Sequence, residues 1–159
     1  MHKSFIINNL EFAQNQLKIV DSFDVSLLNR LEEILSVQDK TLVNFELIGT
    51  GKQFRQPSLQ LHVKANLPVT CQRCLDQMTV NLVLNFHYLV CDAGKDAPSD
   101  DDEIDWLESN HEMNVLELIE DELLLAMPIA PTHAEACNKA SMQSGEKPNP
   151  FAVLKGKIK

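Results

Sequence analysis

The stretch Leu59-Gln60-Leu61-His62-Val63-Lys64-Ala65-Asn66-Leu67 decides the fold class. Apolar and polar residues alternate along its whole length, and successive side chains of a strand point to opposite faces. Such a strand has one apolar face and one face carrying Gln60, His62, Lys64 and Asn66. Two neighbouring runs share the period. Val43, Phe45 and Leu47 alternate with Asn44 and Glu46, while Val80, Leu82, Leu84, Phe86 and Tyr88 form a third row. Gly49-Thr50-Gly51 interrupts the chain after the first run as a turn would, and Cys71-Gln72-Arg73-Cys74 lies between the second and third. Three alternating runs with short connections predict an antiparallel sheet with one face on a core and one in water.

Toward the N-terminus, residues 3–20 are weakly patterned. Phe5-Ile6-Ile7 suits a short strand and Asn8-Asn9 a turn. Residues 21–37 are expected to be the first helix, because Leu27, Leu28, Leu31, Ile34 and Leu35 recur at helical spacing and Asp24 suits its N-cap. Beyond the sheet, residues 93–102 (AGKDAPSDDD) have loop composition, and Ile104-Asp105-Trp106-Leu107 suits a short strand. Asn114 followed by Glu117 has the form of a capped helix start, Leu116, Ile119, Leu123 and Ala126 continue the stripe, and Pro128 ends it. The expected fold is α+β: an antiparallel sheet of three or more strands packed with two helices, with a mobile acidic loop and a C-terminal tail. Residues 1–137 are read as one domain, and residues 138–159 as a polar linker and basic tail.

The 159 residues are 44% hydrophobic and 23% charged, the balance of a globular domain. The net charge of −9 is unevenly placed. Residues 1–91 carry eight acids and eight bases, residues 92–122 thirteen acids and one base (Lys95), and residues 123–159 two acids and five bases. A broad electrostatic clamp on nucleic acid is therefore excluded, since phosphate contacts come mostly from Lys and Arg. The short basic tail is left as the part that could touch phosphate. The first ten residues lack the charged and apolar regions of a signal peptide. The longest apolar stretch, residues 123–130, is far too short to span a bilayer and contains Pro128. A cytoplasmic protein is expected, with its four cysteines free, metal-bound or redox-active rather than in structural disulfides.

Cys71-x-x-Cys74 points two sulfurs at one position, which suits tetrahedral zinc or dithiol chemistry. Redox pairs of this spacing normally open a helix, whereas this one follows Pro68 between two strands and suits a zinc knuckle better. Arg73 favours thiolate in either case. His133-x-x-x-Cys137 would supply the second half of a site, so Cys71, Cys74, His133 and Cys137 are candidate zinc ligands. Weighed against this is the plainer reading of the cysteines as small apolar fillers or unligated thiols. The remaining histidines are scattered, and His62 and His87 fall on the polar side of their strands. No Gly-x-Ser-x-Gly, phosphate loop or His-Glu-x-x-His occurs, so no enzyme is expected. The acids Asp100-Asp101-Asp102-Glu103, Glu117, Glu120, Asp121 and Glu122 read as a solvated loop and helix face; their positions do not fit a calcium loop. In the tail, two prolines stiffen the approach to an apolar tetrad flanked by lysines. Pro150, Phe151, Lys155, Lys157 and Lys159 form a candidate partner-binding motif, the alternative being docking on the protein's own core.

Three blocks in this order resemble the YceD family, the bacterial large ribosomal RNA subunit accumulation proteins. They are Cys71-Gln72-Arg73-Cys74; the run from Glu120 through Leu123-Leu124-Leu125-Ala126-Met127-Pro128-Ile129-Ala130-Pro131-Thr132-His133 with Cys137 close behind; and Lys147-Pro148-Asn149-Pro150-Phe151-Ala152-Val153-Leu154. The resemblance covers most of the chain and is strongest after residue 68. It implies a non-enzymatic role in the synthesis, processing or stability of 23S ribosomal RNA, and hence in large-subunit biogenesis. The implied partner is that RNA or its assembly intermediates, met directly or through a ribosomal or processing protein, with no membrane and no small-molecule substrate. No catalytic residues carry over. Leu75 stands where a glycine often follows such a knuckle. The rival functions are a protein adaptor acting through the acidic segment, and a structural-zinc or thiol redox protein.

Overall fold

The three alternating runs are β3 (Leu42–Gln53), β4 (Gln56–Thr70) and β5 (Gln77–Cys91), the centre of a five-stranded sheet. A computed structural model describes residues 5–36, 40–53, 56–91 and 105–137. The acidic residues 92–104 and the tail from residue 138, with the loop and motif expected there, lie outside the described residues. Before the sheet come β1 (Ile6–Ile7), α1 (Asn9–Gln14), β2 (Lys18–Asp24), a 3-10 turn over Val25–Leu27 and α2 (Asn29–Glu32). After it come β6 (Asp105–Glu108), β7 (Met113–Asn114) and α3 (Val115–Ala126). The sheet order is β2-β3-β4-β5-β6, antiparallel until β6, which lies parallel to β5; β1 and β7 form a separate pair.

Register puts the apolar positions of all three long strands on one face. Phe45 stands opposite Val63 and Val63 opposite Leu84; Leu47 stands opposite Leu61 and Leu61 opposite Phe86. Val43, Phe45, Leu47, Leu59, Leu61, Val63, Ala65 and Leu67 are buried there. Phe12 and Ala13 of α1, Leu28 and Leu31 around α2, and Val115, Ile119 and Leu123 of α3 join the same core. The opposite face is polar, and half-buried His62 meets exposed Asn85 across the strands at 2.5 Å. His87 on the same face is also half-buried, and its Nε2 has no partner among the described residues.

The helix expected over residues 21–37 is corrected. Residues 21–24 belong to β2, paired with β3 from Lys18 opposite Ile48 to Asp24 opposite Leu42. Of the five stripe residues only Leu31 lies within the single helical turn of α2. Asp24 does cap, but it caps the 3-10 turn, where its carboxylate accepts from Ser26 N. The reason is tertiary: β3 offers β2 a full ladder of backbone partners, which outweighs a local helical pattern. The other end of the stretch is drawn to the sheet, where Ser36 N donates to the Pro68 carbonyl at 2.9 Å.

Two smaller expectations also change. Asn8-Asn9 is a helix start: Asn8 caps α1 by accepting from Glu11 N, which makes three α-helices rather than two among the described residues. Buried Asn9 ties α1 to the segment after β6, donating to the Glu108 carbonyl and accepting from Asn110 N, both at 2.9 Å. Gly49-Thr50-Gly51 is a bulge within β3, with the register against β4 shifting between the two glycines. The capped helix start at Asn114 is as expected: its side chain accepts from Leu116 N and donates to Glu117.

Tyr88 closes one end of the core. Its ring is buried and stacks on Phe86, and its hydroxyl donates to Glu122 at 2.7 Å. Burial raises the Tyr88 hydroxyl above the usual phenol range, and the Glu122 carboxylate adds to the effect. Tyr88→Phe keeps the ring and removes only this donor, so a loss of about 1 kcal/mol in urea unfolding is expected. An unchanged midpoint would show that the bond contributes nothing net.

Candidate functional site

The β4–β5 connection is a tight turn on which Cys71 and Cys74 sit. Leu75 N donates to the Cys71 carbonyl and Cys71 N to the Asp76 carbonyl, both at 2.9 Å. Leu75 adopts φ +65° with its side chain exposed. That is the left-handed conformation a glycine accepts without strain, so leucine takes the backbone path that the knuckle glycine usually takes.

After α3 the chain turns at Pro128 and returns to this connection, with Gln72 N donating to the Pro131 carbonyl at 2.8 Å. The return brings in His133 and Cys137. The donor atoms of Cys71, Cys74, His133 and Cys137 all lie within 4.8 Å of one another. Cys71 Sγ is 3.7 Å from Cys137 Sγ, and Cys74 Sγ is 3.4 Å from His133 Nδ1. Cys71 is buried and the other three are half-buried. All four residues proposed from the sequence thus meet at one point, although 59 positions separate Cys74 from His133.

Arg73 straps the cluster from outside. Its Nε donates to Cys137 Sγ at 3.0 Å, and its Nη2 donates to the His133 carbonyl at 2.9 Å and to the Glu135 carbonyl. The surroundings favour negative charge on Cys71 and Cys137 but not on Cys74. Burial raises the Cys71 thiol, but backbone N–H groups at Cys74, Arg73 and His133 outweigh it and take it down to about 5. Burial likewise raises Cys137, and the Arg73 and His133 side chains bring it below the ordinary thiol value. Cys74 is pushed up to about 11: the backbone at Asp76 favours its thiolate, but burial and the adjacent Cys137 and Cys71 oppose it more. His133 is raised by its hydrogen bonds to Cys137 and Cys71. Thiolate is the form that ligates metals and attacks electrophiles. The fourth cysteine, Cys91, lies elsewhere, with its Sγ 3.8 Å from the Leu89 carbonyl.

Of the α3 acids expected on a solvated face, Glu117 and Asp121 are exposed, whereas Glu120 is buried and Glu122 half-buried. Glu120 is buried and binds Arg30 and the backbone of α2, and Asp121 pairs with Arg30 at 2.6 Å. Glu117 accepts from Asn114, and Glu122 accepts from Tyr88. The Asn114–Glu117 pair was expected from the sequence; the partners of Glu120, Asp121 and Glu122 were not, because they lie on distant elements. The candidate tail residues Pro150, Phe151, Lys155, Lys157 and Lys159, and the acids at 100–103, lie outside the described residues. Among the described residues no helix is long and apolar enough to cross a membrane.

Comparison with known proteins bears on most of the chain. The family model for the large ribosomal RNA subunit accumulation protein YceD matches residues 59–156, from β4 through the Cys/His cluster into the tail. The protein of that name from Haemophilus influenzae is 26% identical, over 93% of this chain and 91% of its own length. No solved structure matches. The chain belongs to the YceD family of large ribosomal RNA subunit accumulation proteins.

Proposed function

We propose that this protein supports the synthesis, processing or stability of 23S ribosomal RNA as a binding factor rather than an enzyme. The observation that carries this reading is the similarity over nearly the full length of both chains to a relative named for large ribosomal RNA subunit accumulation. The charge layout narrows how such a factor would work. Residues 92–122 are strongly acidic and residues 123–159 net positive, which makes the C-terminal region the part suited to phosphate.

The cellular test is the ratio of 23S to 16S ribosomal RNA after deletion of the gene. It should fall, and the intact gene should restore it; an unchanged ratio would refute the role. Direct contact is tested with purified chain and 23S ribosomal RNA over a salt series. Truncation after Gly145 removes Lys147, Lys155, Lys157 and Lys159. At about 0.7 per phosphate contact for single strands, the slope of log K against log salt should become shallower by roughly three. If binding is unchanged and partners instead survive RNase but are lost when Asp100, Asp101, Asp102 and Glu103 are neutralised, the protein is an adaptor acting through its acidic segment.

A further inference from the structure

We propose that Cys71, Cys74, His133 and Cys137 hold one zinc ion, and that the ion clasps the segment after α3 to the β4–β5 turn. The inference stands on side-chain geometry and is independent of the ribosomal reading. Tetrahedral zinc has Zn–S distances of about 2.3 Å and Zn–N distances of about 2.0–2.1 Å, which place neighbouring sulfurs roughly 3.8 Å apart and a sulfur and a nitrogen roughly 3.6 Å apart. The Cys71–Cys137 and Cys74–His133 separations, 3.7 and 3.4 Å, have that size. A disulfide needs sulfurs at about 2.05 Å, so the cluster does not have the arrangement of a bonded pair.

The donor set points to the same metal. Three thiolates and one imidazole are soft ligands that favour zinc over magnesium or calcium. Four protein ligands fill a tetrahedron and leave no position for water, which makes the site structural. Three thiolates on a divalent ion leave one net negative charge, and Arg73 stands beside it with Nε on Cys137 Sγ. The same guanidinium holds the carbonyls of His133 and Glu135, so it fixes the path of the two later ligands. The clasp has a topological consequence: it ties Cys137, which residues 138–159 follow in the sequence, to the turn that leaves the end of β4. The zinc would therefore fix the position of Cys137, the last described residue.

The test uses the full-length untagged chain, purified from cells grown with zinc and measured by elemental analysis. About one zinc per chain is expected, bound with three thiols protected until a chelator is added. Cys74→Ser and His133→Ala should each lose most of the metal, whereas Cys91→Ser should retain it. To separate ligand loss from misfolding, the wild-type chain is also stripped with a chelator and refilled with cobalt alone, which should produce the visible absorption of a tetrahedral thiolate site. Limited proteolysis reads the clasp directly. Stripping should open cleavage within residues 128–137, and added zinc should close it again. A wild-type chain without zinc and without cobalt absorption overturns the site, as does full retention of metal by Cys74→Ser. An unchanged cleavage pattern after stripping overturns the clasp.

Discussion

Replacing Glu120 by alanine is expected to destabilise the protein by about 3 kcal/mol, the cost of leaving buried backbone donors without an acceptor. The residue preceding α2 is Leu28, which has no side chain able to cap a helix. The first-turn N–H groups of Arg30 and Leu31 find their acceptor on another element. Glu120 of α3 accepts from Arg30 N at 2.8 Å and from Leu31 N at 3.2 Å through one oxygen, and from Arg30 Nε at 3.0 Å through the other. One carboxylate thus serves as the N-cap of a helix about ninety positions away and as the partner of its arginine. It also lies nearly out of solvent, 6% exposed, so water cannot easily replace it. Glu120→Gln retains an acceptor oxygen and should cost much less, about 1 kcal/mol. Urea unfolding followed by far-ultraviolet circular dichroism separates the two. The midpoint should fall strongly for alanine and slightly for glutamine at similar slope. Equal losses would mean that the charge rather than the cap carries the effect.

Replacing Gly49 by alanine should be as damaging, about 3 kcal/mol or more, because the added atom meets backbone and not a movable side chain. Gly49 sits where α1 crosses β3. A Cβ there would overlap the Phe12 carbonyl oxygen and stand 2.9 Å from Ala13 Cα. Gly49 N also donates to the Leu17 carbonyl at 2.7 Å, which holds the chain after α1 against the strand. Relief would require lifting α1 off the sheet and uncovering Phe12 and Ala13, both buried. Gly51→Ala is the control. Its φ of +71° makes any side chain strained, but its Cβ would meet only the far end of the Gln16 side chain, which can swing away. A loss of about 1–2 kcal/mol is expected there, the ordinary penalty of a left-handed residue. Thermal unfolding of the two variants should rank them in that order. A Gly49→Ala protein that melts like wild type would show that α1 does not need its close approach.

The strands were legible because their information is local. In β4 the apolar residues recur every second position, and a sheet with one buried face requires that period. α3 was legible for the same reason: its cap, its stripe and its terminating Pro128 all lie within fifteen residues. α1 was missed because six residues with one strong cap carry little periodic signal. β2 was mistaken because Asp21 occupies the position facing Phe45, which breaks the alternation that would have marked a strand. The parallel contact of β6 with β5 was also beyond the pattern, since alternation says which face is buried and nothing about which neighbour a strand takes.

The cluster divides in the same way. Spacing alone identified Cys71 and Cys74 as a pair, since a tight turn must bring such residues together. The residue types named His133 and Cys137 as their partners, but nothing local joins the two halves. The sequence by itself determined the long strands, the last helix and the chemical identity of the candidate ligands, because each depends on residues a few positions apart. The tertiary structure decided that the first helical stripe becomes a strand and a single turn. It also decided that Glu120 caps α2 and that the chain after Pro128 comes back to Cys71. These outcomes depend on which distant backbone groups and side chains are brought within hydrogen-bonding reach, and that is set by the packed sheet rather than by any neighbouring residue.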